Sequence, residues 1–408
     1  MTRMKDSGNP WIREIPGDWF EKKLRYLVEL RGEKSVTTDY KKYVGLENIM
    51  SQTGQYVQTG IEVDLTENLT FEVGDILFGK LRPYLRKYWR AEFSGTASSE
   101  FVIIKGSSLN LNFLFWAIQS DSFINDVDSS TYGSKMPRAS WEYMKNIKLP
   151  FPESIEEQSK IADFLDKKVA QLDKVKNLLE EQIKTLEDYR QSLIYETVTK
   201  GLDKTVSFKE VDNKWISVIP SDWEERKLRY LAQTRNEKIL TENSDSYVGL
   251  ENITPRTGLY IETESEVDLT ENISFKQGDI LFGKLRPYLR KFWKAEFDGT
   301  ASSEFIIFKD SILDLEFLYW AIQSDSFVND VNSSTYGSKM PRASWEYIKE
   351  IKIPFPVSQN EQKSIVKFLN EKVVQINQMI AIKKEQIENI NKQRQTLIYD
   401  YVTGKRRV

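Results

Sequence analysis

Residues Gly74–Lys105 read GDILFGKLRPYLRKYWRAEFSGTASSEFVIIK, and Gly278–Lys309 read GDILFGKLRPYLRKFWKAEFDGTASSEFIIFK; 27 of these 32 positions are identical. A second pair, Gln119–Tyr143 (QSDSFINDVDSSTYGSKMPRASWEY) and Gln323–Tyr347, agrees at 23 of 25. Both pairs are displaced by 204 positions, half of the 408-residue chain. The same offset carries Trp11 onto Trp215, Ile15-Pro16 onto Ile219-Pro220, Glu157-Gln158 onto Glu361-Gln362, and Leu193-Ile194-Tyr195 onto Leu397-Ile398-Tyr399. The chain is therefore two copies of one unit, in register from end to end.

Each copy divides again. Up to about residue 153 it is rich in Gly, Pro, Trp, Tyr and β-branched residues, with short apolar runs between turn signals. Asp75-Ile76-Leu77-Phe78 and Phe101–Ile104 read as short strands, Leu111–Gln119 as a helix, and Ser129–Ser140 as a loop. Pro150-Phe151-Pro152 closes this α+β globule. From Ile155 to Val198 there is neither Pro nor Gly, and leucines recur at 165, 172, 179, 186 and 193, supported by Ile161, Val175 and Tyr189. That seven-residue spacing predicts a long helix of roughly 65 Å with one apolar seam. The second copy repeats the seam at Leu369, Ile376, Ile390 and Leu397, interrupted by Lys383.

A lone helix has nothing against which to bury such a seam, so each requires a partner. Antiparallel pairing of the two long helices closes the chain on itself without a long return connection. The expected organisation is thus a globule at 1–153, a helical spacer at 154–204, a second globule at 205–357 and a second spacer at 358–408. The expected fold is α+β, two near-identical globules separated by an antiparallel coiled coil with pseudo-twofold symmetry.

Composition narrows the chemistry. Hydrophobic residues make up 40% and charged residues 29%, a balance that supports a folded core. No apolar run is long enough for a spanning helix, and MTRMKDSGNPW lacks the apolar centre of a secretory signal, so an intracellular, non-membrane protein is expected. With no cysteine and no histidine, thiolate nucleophiles, Ser-His-Asp triads and the common zinc sites are excluded. No GxxxxGK[ST] loop is present. The net charge of −3 leaves room for a basic patch on one face.

Such a patch is suggested twice over. Lys80, Arg82, Arg86 and Lys87 surround Tyr84, and the loop at 129–140 adds Tyr132, Ser134, Lys135 and Arg138. The second copy supplies Lys284, Arg286, Tyr288, Arg290, Lys291, Tyr336, Ser338, Lys339 and Arg342. Arginine and lysine neutralise phosphates or fork onto guanine, and Ser and Tyr add shorter polar contacts. The same segments also fit a strand flank paired with local carboxylates and a plain turn with Met136 and Trp141 tucked inward. Glu100 and Glu304 read foremost as structural acids. Asp39-Tyr40-Lys41 has the letters of a metal nuclease, but its counterpart is Asn243-Ser244-Asp245.

The order of short motifs resembles the specificity subunit of type I restriction–modification enzymes. Trp11, Ile15, Pro16 and Trp19 open a globule containing Gly-Asp-Ile-Leu; Ile147–Pro152 closes it, and Glu157-Gln158 begin the long helix. Trp215, Ile219, Pro220 and Trp223, then Ile351–Pro356, then Glu361-Gln362 repeat the series. The resemblance implies two target recognition domains on helical spacers, reading a bipartite site in double-stranded DNA and lacking a catalytic centre. It implies two methylation subunits and restriction subunits as partners, with S-adenosylmethionine, ATP and Mg on those partners and no cofactor in this chain, in a prokaryotic cytoplasm. The family's two domains usually differ; near-identical domains imply a gapped palindrome. Differences between the copies fall mainly at Arg31–Tyr43 against Arg235–Tyr247 and Met50–Glu62 against Thr254–Glu266. Two other classes stay open: a coiled-coil scaffold with peptide- or glycan-binding globules, and a nuclease using Glu100 and Asp75. Duplex binding that weakens steeply with salt separates the reader from the scaffold, because phosphate contacts release counterions and a neutral ligand does not.

Overall fold

The computed structural model describes residues 3–37, 39, 42–59, 67–133, 135–241, 246–263, 271–337 and 339–408. Packing divides the chain into two compact units, Met1–Leu178 with Glu385–Val408, and Leu179–Lys384.

In the first unit the strands are β1 (Met4–Asp6), β2 (Glu14–Pro16), β3 (Phe20–Lys23), β4 (Val28–Leu30), β5 (Lys34–Val36), β6 (Tyr43–Val44), β7 (Glu67–Phe71), β8 (Ile76–Gly79), β9 (Tyr88–Arg90), β10 (Gly95–Ala97), β11 (Phe101–Ser107) and β12 (Lys148–Phe151). Two four-stranded sheets result, in the orders β4-β11-β8-β9 and β5-β7-β10-β6. The first is antiparallel throughout, with Val102 opposite Phe78 and Leu77 opposite Trp89. The second contains one parallel pair, β10 with β6.

Three short helices follow in the globule: α1 (Leu111–Ala117), α2 (Asp121–Ser129) and α3 (Trp141–Met144). The side chains of Asn110, Ser120 and Ser140 accept hydrogen bonds from their first-turn amides, the usual reason such residues start helices.

The apolar runs ILF and FVII are continuous because the central sheet is covered on both faces. Alternate residues Ile76, Phe78, Val102 and Ile104 enter one core with α1 and α2. Their neighbours Leu77, Phe101 and Ile103 enter a second, aromatic core with Phe71 and Trp89. Among the aromatics of that second core, Phe71 meets Trp89 edge-on, with ring centroids 5.6 Å apart.

Then come the long helices, α4 (Ile155–Lys200) and, after the second globule, α8 (Gln359–Val402). Within the first unit, Ile161, Ala162, Leu165 and Val169 of α4 and Ile398 and Val402 of α8 all lie in the globule's main core. The helices run antiparallel there: the Phe164 and Tyr401 rings pack at a tilt with centroids 4.5 Å apart, and Asp173 lies 3.5 Å from Arg394. The chain's end is tied down by Tyr399, whose hydroxyl donates to the Ile12 carbonyl, and by the Arg407–Asp18 pair. Gly404, at φ +71°, terminates α8 where any Cβ would strike Pro16 and crowd Trp19.

The second unit repeats the plan. Its sheets have the same strand orders, with Ile306 opposite Phe282 and Leu281 opposite Trp293. Helices α5 (Leu315–Ala321), α6 (Asp325–Ser333) and α7 (Trp345–Ile348) precede the globule's last strand, Lys352–Pro356, and then α8. Ile194 and Val198 of α4 share its core with Ile365, Leu369 and Val373 of α8. Pairing is again antiparallel: Arg190 donates to Asn377 at 2.6 Å and Lys383 to Gln182 at 2.6 Å. The last bond settles the lysine that interrupts the seam, because its long stem brings the ammonium to an amide oxygen.

The seam itself is shallower than its spacing predicts. Leu165 is fully buried, whereas Leu172, Leu179, Leu186 and Leu193 are half-buried and Val175 and Tyr189 are exposed. Leu165 gains a third wall from the globule, whereas Ile376 and Ile380 of α8 are buried outside the globule cores. Glu-Gln at the start of each long helix also gains a physical role. Gln158, 1% exposed, accepts from the Asn110 amide at 2.8 Å and donates to the Pro152 carbonyl at 2.9 Å. Gln362 makes the same two bonds with Asp314 and Pro356.

Ile398 is 0% exposed within the first core. Its replacement by alanine is expected to cost about 2–5 kcal/mol. Amide exchange should then accelerate around Phe113 and Leu114 of α1, far upstream in sequence; unchanged protection there would contradict the shared core.

Candidate nucleic-acid interface

The basic segment after β8 begins at Lys80 and turns through a single 3-10 turn at Pro83–Leu85. Both residues flanking that turn are left-handed: Arg82 has φ 51° and Arg86 φ 54°. This region disfavours a side-chain-bearing residue by about 1–2 kcal/mol. Arg286 and Arg290 adopt it again, at φ 50° and 54°. The strain is held by bonds from outside the loop. The Arg82 amide donates to the Pro137 carbonyl at 2.7 Å, and the Ala139 amide donates to the Lys80 carbonyl at 2.9 Å. Tyr132 and Arg138 pair as a miniature antiparallel ladder, and Arg138 pairs also with Leu81. The two loops separated by some fifty residues in sequence are one surface in space.

Glu100 locks the surface from below. Its carboxylate takes two parallel bonds from Arg138, at 2.9 and 2.6 Å, and its carbonyl accepts from the Lys80 amide at 2.8 Å. Glu304 does the same for Arg342, at 2.9 and 2.5 Å, and for Lys284. Burial holds the Lys80 ammonium below its ordinary range, partly offset by the Glu100 charge, and Lys284 behaves alike. Arg82 lays one guanidinium nitrogen on the Lys135 carbonyl at 3.1 Å; its buried Nε has no hydrogen-bond partner among the described residues. Lys80, Arg82, Lys135 and Arg138 thus share one surface, and the Glu100 carboxylate meets Arg138 and Lys80 there.

Aromatic side chains stand out from this basic ground. Tyr84 is 49% exposed and Tyr132 61%, and Met136, rather than tucked inward, is also exposed. Tyr288, Tyr336 and Met340 repeat the pattern. Lys135 and Lys339 are exposed beside them. Ser134 and Ser338 lie outside the described residues, as do Tyr40, Lys41 and the Asn243-Ser244-Asp245 stretch.

Two of the expected cations turn away from this surface. Arg86 binds Asp121 at 2.5 Å, the Gln119 carbonyl at 3.2 Å and Gln395 at 3.2 Å. Lys87 donates to the carbonyls of Leu46 and Ile49, at 2.6 and 2.9 Å. Arg290 repeats the first arrangement with Asp325, Gln323 and Gln191, and Lys291 donates to Leu250. The charged ends of these four side chains are thus engaged by the protein itself. Spacing alone placed all four cations around Tyr84 because it carries no information on which partners each side chain meets in the fold. Asp121 and Asp325, the anchors of Arg86 and Arg290, carry no local signal beyond following a helix cap. The other acid considered for catalysis, Asp75, is buried and bound by Arg31 at 2.7 Å.

Comparison with known proteins agrees with the doubled arrangement of the chain. The family described as type I restriction modification DNA specificity domain matches residues 16–187 and again 220–392. The type I restriction enzyme MjaVIII specificity subunit of Methanocaldococcus jannaschii is 24% identical, over 97% of this chain and 94% of its own length. The EcoDI specificity subunit of Escherichia coli is 22% identical, over 84% of this chain and 79% of its own. A chain solved in work on complex assembly and conformational transition of the type I R-M system shares the fold with a TM-score of 0.66 at 16% identity, covering 96% of this chain and 99% of that one.

Replacing Glu100 with Gln removes the charge that supports both Arg138 and Lys80. The Lys80 ammonium, already lowered by burial, should titrate lower still, and stability should fall by about 1 kcal/mol. Nζ resonances followed against pH in the parent and variant check this. In the parent, the unfolded chain holds the Lys80 proton more tightly than the folded one, so this residue's contribution to stability rises with pH between its folded value and 10.5.

Proposed function

The chain belongs to the type I restriction–modification DNA specificity family, and we propose that it reads an interrupted palindrome in double-stranded DNA, one half-site per globule. The observation that carries this reading is the doubling of one strained surface. Arg82 and Arg286 share the same left-handed backbone, the same bond to the 137/341 carbonyl and the same neighbouring carboxylate clamp. Two equal surfaces read the same bases, one half-site each.

Lys80, Arg82, Lys135 and Arg138, with their second-copy equivalents, supply phosphate neutralisation and base-edge forks. Tyr84 and Tyr132 offer flat faces and hydroxyls beside them. Arg86 and Lys87 act by holding the loop in place. Residues 1–153 and 205–357 form the recognition domains, and 154–204 and 358–408 the spacers; the start of α4 at Ile155 and of α8 at Gln359 supports these limits.

The chain acts in the cytoplasm without catalysis of its own. Two methylation subunits and restriction subunits dock on it and bring S-adenosylmethionine, ATP and Mg. Glu100 and Asp75, the acids of a nuclease reading, are each neutralised by an arginine, which supports a non-catalytic role. Among the described residues no helix is long and apolar enough to cross a membrane.

Native DNA of the source cell, sequenced for N6-methyladenine before and after deletion of this gene, tests the reading. Loss of one gapped palindromic motif is the expected result. Loss of a gapped motif whose two halves differ keeps the DNA reader and overturns the equal half-sites. If no motif is lost and the purified chain binds duplex without salt dependence, the reader itself is wrong.

A further inference from the structure

The ribbon of β3 with β12 carries basic side chains that the two units treat differently. In the first unit Lys148 lies opposite Lys23, and the single turn that follows β3, Leu24–Tyr26, presents Arg25 and Tyr26. Lys22, Arg25 and Lys148 are exposed. Among the described residues Lys22, Lys23, Arg25 and Lys148 form no ion pair, and their side chains donate one long hydrogen bond, from Lys23 Nζ to the Asn146 amide oxygen at 3.5 Å. The carboxylate that faces them, Glu21, is half-buried; burial pushes its carboxyl above the ordinary range, partly offset by Lys148.

In the second unit all four equivalents are paired. Arg226 meets Glu224 at 2.6 Å and Lys352 meets Glu225 at 3.1 Å. Glu350 takes both Lys227, at 2.7 Å, and Arg229, at 2.5 Å. Lys227, and then Arg229, hold the Glu350 carboxyl below its ordinary range. The first copy has Phe20 where the second has Glu224, and Asn146 where it has Glu350. Lys145 and Lys349 do not distinguish the units, since Glu142 and Glu346 pair with them alike.

Glu350 marks where an anion sits between these cations, and the backbone around that place is the same in both units. The Arg25 and Arg229 amides donate to the Lys145 and Lys349 carbonyls at 3.1 and 3.0 Å; those of Leu24 and Leu228 donate to the Ile147 and Ile351 carbonyls, both at 2.9 Å. Arg229 lies over the Tyr230 ring at 4.7 Å while it holds Glu350, and Arg25 lies over Tyr26 at 4.8 Å without a carboxylate. The first unit's guanidinium thus stands in the pose of its occupied counterpart. Lys145, which caps α3, follows Arg138 by seven residues, a span of at most about 25 Å and less than one turn of duplex. Of the two anions that fit between these cations, a phosphate of DNA or a carboxylate of a protein partner, that span favours the phosphate.

We propose that Lys23 and Arg25 of the first unit bind a backbone phosphate of the duplex beside the half-site, a contact that the second unit replaces with its own Glu350. The proposal rests on the chain being a DNA reader. It makes two equal base-reading surfaces unequal in a grip that is independent of sequence.

Affinity of the full chain for a mixed-sequence duplex, followed against salt, is the test, with Lys135→Ala in the recognition loop as the control for the reader itself. Asn146→Glu imports the second copy's carboxylate; it should weaken binding by about tenfold and make the salt slope shallower by about one. Glu350→Asn frees Lys227 and Arg229 and should move both quantities the other way. In a chain already carrying Lys23→Ala and Arg25→Ala, Asn146→Glu should add little, whereas a mere change of net charge would act there undiminished. Melting curves near the parent's establish that each variant folds. If Asn146→Glu and Glu350→Asn leave affinity and slope at the parent's while Lys135→Ala lowers them, the reader stands, the phosphate contact is overturned and the protein carboxylate takes its place. An undiminished effect of Asn146→Glu without Lys23 and Arg25 overturns the contact as well, and a parent that binds no duplex overturns contact and reader together.

Discussion

Ile398 and Val402, near the very end of the chain, lie in the core that Trp19, Phe113 and Leu165 begin. Everything else in the first unit follows from that burial. A helix with one apolar stripe is unstable alone, and the first globule leaves one side of its core open. The returning helix closes both deficits at once. The second unit meets the same constraint with Ile194 and Val198 of the first long helix. Each globule is therefore completed by the spacer that belongs, in sequence, to the other copy.

The junctions between globule and helix are fixed by directional bonds rather than by apolar contact alone. Gln158 and Gln362 each satisfy a backbone amide and a backbone carbonyl at the helix start. The indole N–H of Trp116 reaches Asp166 at 2.8 Å, and that of Trp320 reaches Asn370 at 3.0 Å. These bonds set the angle at which the helix leaves the globule, and a buried amide left unpaired would cost more than the bond contributes.

The two copies agree more closely in the basic loops than in the long helices. Gly74–Lys105 and its copy differ at five positions, and none of the five is a residue of the basic surface. On the helices, Asp173 became Asn377 and Asn391 answers to Glu187. Such exchanges leave the apolar cores intact and alter the electrostatics beside them.

Most of the fold was legible in the residues themselves. The repeat, the strands at ILF and FVII, the long helices and their antiparallel pairing follow from periodicity and from the need to bury apolar surface, which are local or nearly local properties. Lys80, Arg82, Tyr84, Tyr132, Lys135 and Arg138 were legible as a charged and aromatic set for the same reason. The direction of each side chain was not. Arg86 and Lys87 sit one and two residues past a turn, yet left-handed backbone and distant carbonyls turn them inward, away from Tyr84. The depth of the seam was also undecided, because burial of Leu165 but not Val175 depends on a third wall that no heptad records. Sequence by itself determined which elements form and that they must pair; tertiary structure alone decided which cations face outward, since that depends on partners such as Asp121, Leu46 and Gln395, far along the chain and brought near only by folding.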